Sequence, residues 1–189
     1  MLLSQVMEGA HMRLCVAFLV VLGTLTTSSS AQKKNPEKNP VTTVIKEIMP
    51  RQERNLEGAV ETMPADKFGF RPTEPQMTFG HLVAHIIDSN YYLCAKAADI
   101  PQPKVESAKE TDKDALVAAL KTSFDFCTTN LAKVDDSKLG DTIEAYGGRQ
   151  VARAWALIAL TNDWADHYGA AAIYLRLNGL LPPTAQPKK

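Results

Sequence analysis

An aspartate and a histidine lie four residues apart in the last apolar segment of the chain, over 148–179. On a helix, Asp163 lies about 40° around the axis from His167. Apolar residues also lie within about 60° of His167, namely Ala156, Leu160, Trp164, Ala171 and Tyr174. A carboxylate and an imidazole on such a core-facing stripe must be paired, hydrogen-bonded or bound to a metal, because an unpartnered buried charge is costly. This segment is therefore the first candidate for a functional site.

A second pair with helical spacing, His81 and His85, lies in an earlier apolar segment, on the flank of its apolar stripe. Two histidines at this spacing project from one helical face and can share a metal ion or an anion. A groove between helices would bring His85 towards Asp163 and His167. Alternatives stay open for both pairs. His81 and His85 form either a metal site or a solvated pair. Asp163 is either a metal ligand or a residue that orients His167 or accepts a hydrogen bond from an arginine.

Two histidines and an aspartate with an open fourth position suit a divalent transition metal, most generally zinc. Such a metal lowers the pKa of a bound water or thiol and makes a nucleophile at neutral pH. The candidate ligands are His85, Asp163 and His167, with His81 as a fourth ligand or as an acid or base beside the metal. No catalytic residue follows from the sequence.

Four segments with helical periodicity must position these side chains, and they predict an all-α protein, a four-helix bundle. The predicted helices are 41–63, 77–98, 113–131 and a last helix that follows a loop over 132–148 and ends near Leu177. Thr78 is the predicted N-cap of the second helix. Pro50 either kinks the first helix or marks its true start. No strand pattern is recognised.

The first residues of the chain are typical of an export signal. Arg13 precedes the apolar run 14–25, and Ser29 and Ala31 supply the small residues of a cleavage site. The run is short for a bilayer span, so a cleaved signal is favoured over the alternative of an uncleaved anchor. Met12 is an alternative start of the chain. We expect an exported bacterial protein, periplasmic or secreted. The predicted organisation is a signal peptide (1–31), a flexible lead-in (32–40), the helical bundle (41–183) and a C-terminal tail (184–189).

The balance of charge argues against a nucleic-acid-binding protein. Basic and acidic residues each number 21, so the net charge is zero, and no basic block supplies the usual electrostatic footprint. Within the helices, Asn90 lies near the middle of an apolar stripe and is predicted to hydrogen-bond across the core. Trp155, Trp164, Tyr91 and Tyr92 are interpreted as core or seam residues rather than a binding cage.

Two groups of motifs resemble the DinB-like superfamily, over about residues 39–183. The first group is Met63-Pro64, Phe70-Arg71-Pro72-Thr73 and Thr78-Phe79-Gly80-His81-Leu82-Val83-Ala84-His85-Ile86. The second group is His167-Tyr168-Gly169, Tyr174-Leu175-Arg176-Leu177-Asn178-Gly179 and Pro182-Pro183. The resemblance implies a bundle with up-down-down-up helix order. It also implies a metal site of three histidines, one on the second helix and an H-x3-H pair on the last.

This chain departs from the three-histidine pattern at one position. His85 and His167 match two of the ligands, whereas Asp163 stands where the third histidine is expected. Because aspartate also binds zinc or nickel, the site either persists with a changed affinity or has decayed to a structural pair.

The resemblance implies two hypotheses for function. Relatives with known activity are metal-dependent transferases that attach small thiols to electrophiles, or isomerases and hydrolases that use such thiols. An exported protein would not meet the cytosolic thiol pool, which argues against a direct transfer of that role. One hypothesis is therefore a metal-dependent transferase or hydrolase of unknown small-molecule substrate. The other is a non-catalytic bundle with a degenerate metal site that binds a partner or ligand. Neither requires a membrane after signal cleavage, and a homodimer is compatible with both.

The implied topology also bears on the cysteines. With the second and third helices parallel, Cys94 and Cys127 lie about 16 and 15 residues from the starts of their helices, at similar heights. The connection over 99–111 extends to about 43 Å, enough to return along a helix of about 30 Å. A disulfide is therefore predicted, as suits an oxidising compartment. Two separate buried thiols are the alternative.

Overall fold

Four long helices and one short β-hairpin make up the part of the chain that the computed structural model describes, residues 37–187. The elements are α1 (Pro40–Thr62), α2 (Phe79–Ala98), α3 (Lys113–Leu131), β1 (Thr142–Glu144), β2 (Gln150–Ala152) and α4 (Ala154–Leu177). The predicted four-helix bundle is confirmed. The predicted signal peptide and most of the lead-in lie outside the described residues. None of the helices within 37–187 has the length and apolar character needed to cross a bilayer.

The helices begin where the chain offers acceptors for their free N–H groups. Thr78 is the N-cap of α2, as predicted, and its hydroxyl accepts from the backbone N–H of His81 at 3.1 Å. The helix α1 begins at Pro40, and the backbone N–H groups of the next two residues donate to the Asp136 carboxylate at 2.9 Å each. Pro50 lies inside α1. The interpretation of Pro50 as the true start of the first helix is therefore wrong.

Contacts at the helix ends establish the directions of the helices. Lys113, at the start of α3, donates from Nζ to the carbonyl of Met63 just after α1, at 2.8 Å, so these helices run antiparallel. Tyr174, near the end of α4, donates its hydroxyl to the carbonyl of Met77 just before α2, at 2.7 Å. The helices α2 and α4 are therefore also antiparallel. Asn90 and Cys94 of α2 contact Ser123 and Cys127 of α3 in the same order along the two helices, so α2 and α3 are parallel. The predicted up-down-down-up order is therefore confirmed.

The parallel pair α2 and α3 is joined covalently and through a buried polar network. Cys94 and Cys127 form the predicted disulfide, with their Cα atoms 5.3 Å apart. Asn90 is fully buried; it donates from Nδ2 to the Ser123 hydroxyl at 2.9 Å and accepts from Trp164 Nε1 at 2.7 Å. Because each of these buried polar atoms has a partner, the network links three helices without an unsatisfied group. The predicted role of Asn90 is confirmed.

The prediction that the chain has no strand is wrong between α3 and α4. Strands β1 and β2 pair antiparallel, and the last helix begins at Ala154 rather than soon after Gly148. Each strand has three residues, which is too short for a period-two pattern to be recognised. Gly147 and Gly148 form the turn with φ of 68° and 75°, a conformation that glycine adopts without steric cost.

A buried arginine holds the base of this hairpin. One terminal guanidinium nitrogen of Arg153 lies 2.9 Å from the carboxylate of Asp99, at the end of α2, and 3.5 Å from that of Asp141. The backbone N–H of Arg153 also donates to the carbonyl of Asp141 at 2.8 Å. These contacts connect the hairpin base to α2 and α4, and they pair the buried cation with two carboxylates, although its Nε is buried without a hydrogen-bond partner.

Replacing Gly80 by alanine is expected to destabilise the protein by about 1–3 kcal/mol, because an added Cβ would lie 1.7 Å from the backbone oxygen of Glu110. The matched control is Gly169→Ala in α4, where a Cβ meets nothing within 4 Å and helix propensity predicts a gain of about 0.5–1 kcal/mol. Urea unfolding of both variants checks the prediction. Equal effects of the two substitutions would contradict it.

Candidate metal centre

The antiparallel helices α2 and α4 bring together three of the four predicted ligands. His85 on α2 and Asp163 and His167 on α4 each offer one ligand atom, and these atoms lie within 4.8 Å of one another. Nε2 of His85 lies 3.9 Å from Oδ1 of Asp163, and Nδ1 of His167 lies 3.5 Å from the same oxygen. The two imidazole rings lie 4.8 Å apart between centroids. The groove between helices that the sequence required is therefore present.

Asp163 has the environment expected of a metal ligand. Its side chain is 15% exposed, its salt-bridge partners are the two histidines, and its Oδ2 atom is buried without a hydrogen-bond partner. A buried carboxylate oxygen without a partner is costly, and a bound cation would remove that cost. The alternative in which Asp163 accepts from an arginine is not what the structure shows. The donor set of two imidazoles and one carboxylate fits zinc and related metals.

The orientation of His167 is fixed from within its own helix. Its Nδ1 lies 2.7 Å from the backbone carbonyl of Asp163, one turn earlier. A neutral imidazole that donates from Nδ1 to a carbonyl has its lone pair on Nε2, an arrangement common in metal-binding histidines. His85 has a looser environment: its side chain is 42% exposed, and Nε2 lies 3.5 Å from the Ser89 hydroxyl. The site therefore combines a fixed ligand on α4 with a more accessible one on α2.

His81, the fourth candidate ligand, lies outside this cluster. Its Nδ1 is 2.6 Å from Oε1 of Glu110, in the connection between α2 and α3. Because Gly80 has no side chain, the backbone of Glu110 can approach this end of α2. His81 lies one turn before His85 on α2, but its side chain contacts that connection rather than α4. The structure thus separates the two histidines that the spacing had grouped.

The three ligands open into a pocket of about 470 Å³ between α2 and α4. The other residues of the pocket were not among the predicted site residues; they are Ser89, Leu93, Tyr146, Trp155, Ala159, Asn162 and Asp166. Ser89 and Leu93 follow His85 at intervals of four, so helical spacing could have identified them. Tyr146 lies on the hairpin that was not predicted. Trp155 contributes to the pocket, whereas Trp164 and Tyr91 are buried core residues, as predicted.

Because the Asp163 side chain is largely buried, the free energy of unfolding of the metal-free protein should depend on pH. Burial raises the pKa of Asp163 above its usual value, and the charges of His167 and His85 and the nearby Ser89 hydroxyl act in the opposite direction. The folded state then binds more protons at this carboxyl than the unfolded state does. The free energy of unfolding is therefore expected to fall as the pH rises from the ordinary aspartate pKa to the raised one.

The Asp163→Asn variant isolates this contribution, because an amide of the same shape does not titrate in this range. With chelator present, urea unfolding from pH 4 to 7 should show a smaller loss of stability with rising pH in the variant than in the natural protein. Parallel stability curves for the two proteins would contradict the assignment.

A four-helix bundle with a His–Asp–His cluster between its second and fourth helices defines the class of this protein. Residues 49–171, well over half of the chain, match the DinB superfamily, and the chain belongs to that superfamily. The resemblance seen in the motifs is thereby confirmed.

Two solved structures show the same fold. A DinB-like protein from Bacillus subtilis is 20% identical and superposes with a TM-score of 0.62, covering 77% of this chain and 99% of its own. A conserved protein from Enterococcus faecalis is 18% identical with a TM-score of 0.56, covering 72% of this chain and 96% of its own. At these identities the likeness concerns the fold alone. No curated protein matches the sequence.

Proposed function

We propose that the protein binds one divalent transition metal, zinc or nickel, through His85, Asp163 and His167. We further propose that it is a metal-dependent hydrolase or transferase of a small molecule. The observation that carries the proposal is the Asp163 carboxylate at the wall of an open pocket: its Oδ1 lies within 4 Å of both imidazoles, and its buried Oδ2 has no hydrogen-bond partner. A purely structural pair would be expected to satisfy that oxygen by a hydrogen bond.

The three ligands have separate roles in this proposal. Asp163 supplies the negative charge, and its low exposure strengthens its attraction for a cation. His167 is held by the carbonyl one turn earlier and fixes the position of the site on α4. His85, the more exposed ligand, lies on the opposite wall of the pocket. A metal bound by three protein ligands keeps an open position, where it lowers the pKa of a water or thiol.

Several features of the pocket suit a small-molecule reaction. Its volume lies within the range of ligand pockets, and polar side chains are present beside an apolar wall. Asn162 and Asp166 directly precede the ligands Asp163 and His167 on α4 and can hydrogen-bond a bound molecule. Ser89 and Asp166 line the same pocket and can exchange protons or hydrogen bonds with a substrate.

The disulfide supports the proposal that the protein is exported. Cys94 and Cys127 are both fully buried and joined, as expected in an oxidising compartment. A cytosolic thiol is then not the natural substrate, and hydrolysis is the reaction that needs no co-substrate except water.

The test is an assay of the protein from residue 32 onward, loaded with zinc or nickel. Hydrolysis of p-nitrophenyl acetate and addition of cysteine to monochlorobimane are the two probe reactions. We expect metal-dependent turnover that falls to background in His167→Ala and persists in the control His81→Ala. Turnover that is equal in His167→Ala and the natural protein would contradict the proposal. Absence of both retained metal and turnover would favour the non-catalytic hypothesis.

Replacing Asp163 by histidine is expected to retain metal binding, because imidazole and carboxylate are both ligands of zinc, whereas Asp163→Ala should lose it. Isothermal titration with zinc after treatment with chelator compares the two variants. Under the non-catalytic hypothesis, Asp163→Ala would change stability alone and leave metal content unaltered.

A further inference from the structure

The pocket between α2 and α4 changes character along its length. Because the helices are antiparallel, residues that follow His85 along α2 lie beside residues that precede His167 along α4. The ligand end contains His85, Asp163 and His167, together with the exposed Asp166. The far end contains Leu93, Tyr146, Trp155 and Ala159. Leu93 is eight residues beyond His85, so the two ends are about 12 Å apart along α2.

The hairpin supplies the outer wall of the apolar end. The ring of Tyr146 stacks on that of Tyr92 of α2, with centroids 3.9 Å apart and planes at 20°. The guanidinium of Arg149, on the same turn, lies 5.8 Å from the ring of Trp155 of α4. The turn thus contacts both helices that form the pocket.

This wall is held in place before any ligand binds. The backbone N–H of Ala145 donates to the carbonyl of Arg149 at 2.8 Å, which closes the turn. The buried Arg153 connects the hairpin base to Asp99 and Asp141. A rigid aromatic side chain contributes affinity at low entropic cost. Tyr146 nevertheless stays 58% exposed, which is expected of a wall that a ligand has yet to cover.

We infer that Tyr146 determines specificity, and that the ligand of this pocket is a small molecule with a metal-binding head group and an apolar, aromatic body. The head group binds beside His85, Asp163 and His167, and the body lies along Leu93 and Ala159 against the rings of Tyr146 and Trp155. The inference rests on the proposed function, because the metal holds the head group at one end.

Two hydroxamic acids that differ only in their body test this inference on the zinc-loaded protein. Acetohydroxamic acid reports the metal end alone, and phenylbutyrohydroxamic acid has an aromatic ring at about the reach of the apolar end. The natural protein should bind the phenylbutyro compound at least about 10-fold more tightly, since burial of its body is added to the same head group. Tyr146→Ala should reduce that preference by about 3- to 10-fold and leave the affinity for acetohydroxamic acid unchanged.

Matched variants separate the ring of Tyr146 from other effects. Tyr146→Phe retains the ring and should retain the preference, and Leu181→Ala removes an exposed apolar side chain outside the pocket and should change nothing. An unchanged preference in Tyr146→Ala, with acetohydroxamic acid still bound, overturns the inference and leaves the metal site standing. Failure of the natural protein to bind either compound with zinc present overturns both the inference and the proposed function.

Discussion

Replacing His85 or His167 by alanine is expected to lower the affinity for zinc by more than about 100-fold. Loss of a group that only orients a ligand already costs 10- to 100-fold, and each of these variants removes a ligand itself. Each leaves two donors, fewer than the three or four typical of protein zinc sites. Elemental analysis after dialysis should fall from about one zinc per chain to near zero.

The chain contains its own control for this experiment. His81 has the same side chain as His85 and lies one turn away on the same helix, but its Nδ1 is 2.6 Å from Glu110. His81→Ala should therefore retain zinc at the level of the natural protein. If His81→Ala lost metal as fully as His85→Ala, zinc would be bound by the i, i+4 pair on α2. The assignment of the metal centre to the groove between α2 and α4 would then be wrong.

Removing the disulfide is expected to destabilise the protein by about 3–4 kcal/mol. Cys94 and Cys127 are 33 residues apart, and closing a loop of that length restricts the unfolded chain by roughly this free energy. Both side chains are fully buried, so the double alanine variant also loses packing. Urea unfolding of the double variant measures the effect.

Unfolding the natural protein with a reductant present provides the comparison. The reductant keeps the unfolded chain open, so its midpoint should approach that of the double alanine variant. Midpoints of the natural protein that are equal with and without reductant would show that no disulfide forms.

The bundle could be predicted because its helices are long. Each of the four spans about 20 residues, enough for the apolar stripe to repeat several times, and Thr78 and Asn178-Gly179 marked two of the ends. The hairpin could not be predicted. Its two strands have three residues each and one buried side chain between them, Ile143, so no alternation can be read.

The residues of the candidate site could also be predicted only in part. The i, i+4 spacing on α4 placed Asp163 and His167 together, because a helix fixes that geometry by itself. On α2 the same rule grouped His81 with His85, and tertiary structure separated them: the connection to α3 passes over Gly80 and brings Glu110 to His81. Tyr146 depends on the hairpin turn folding back onto Tyr92, a long-range contact that no local pattern encodes.

The most direct test of the metal centre is a crystal structure of the zinc-loaded protein with anomalous diffraction recorded at the zinc edge. We predict one strong anomalous peak per chain within bonding distance of His85, Asp163 and His167. A peak at His81 and Glu110, or none at the three residues under saturating zinc, would contradict it.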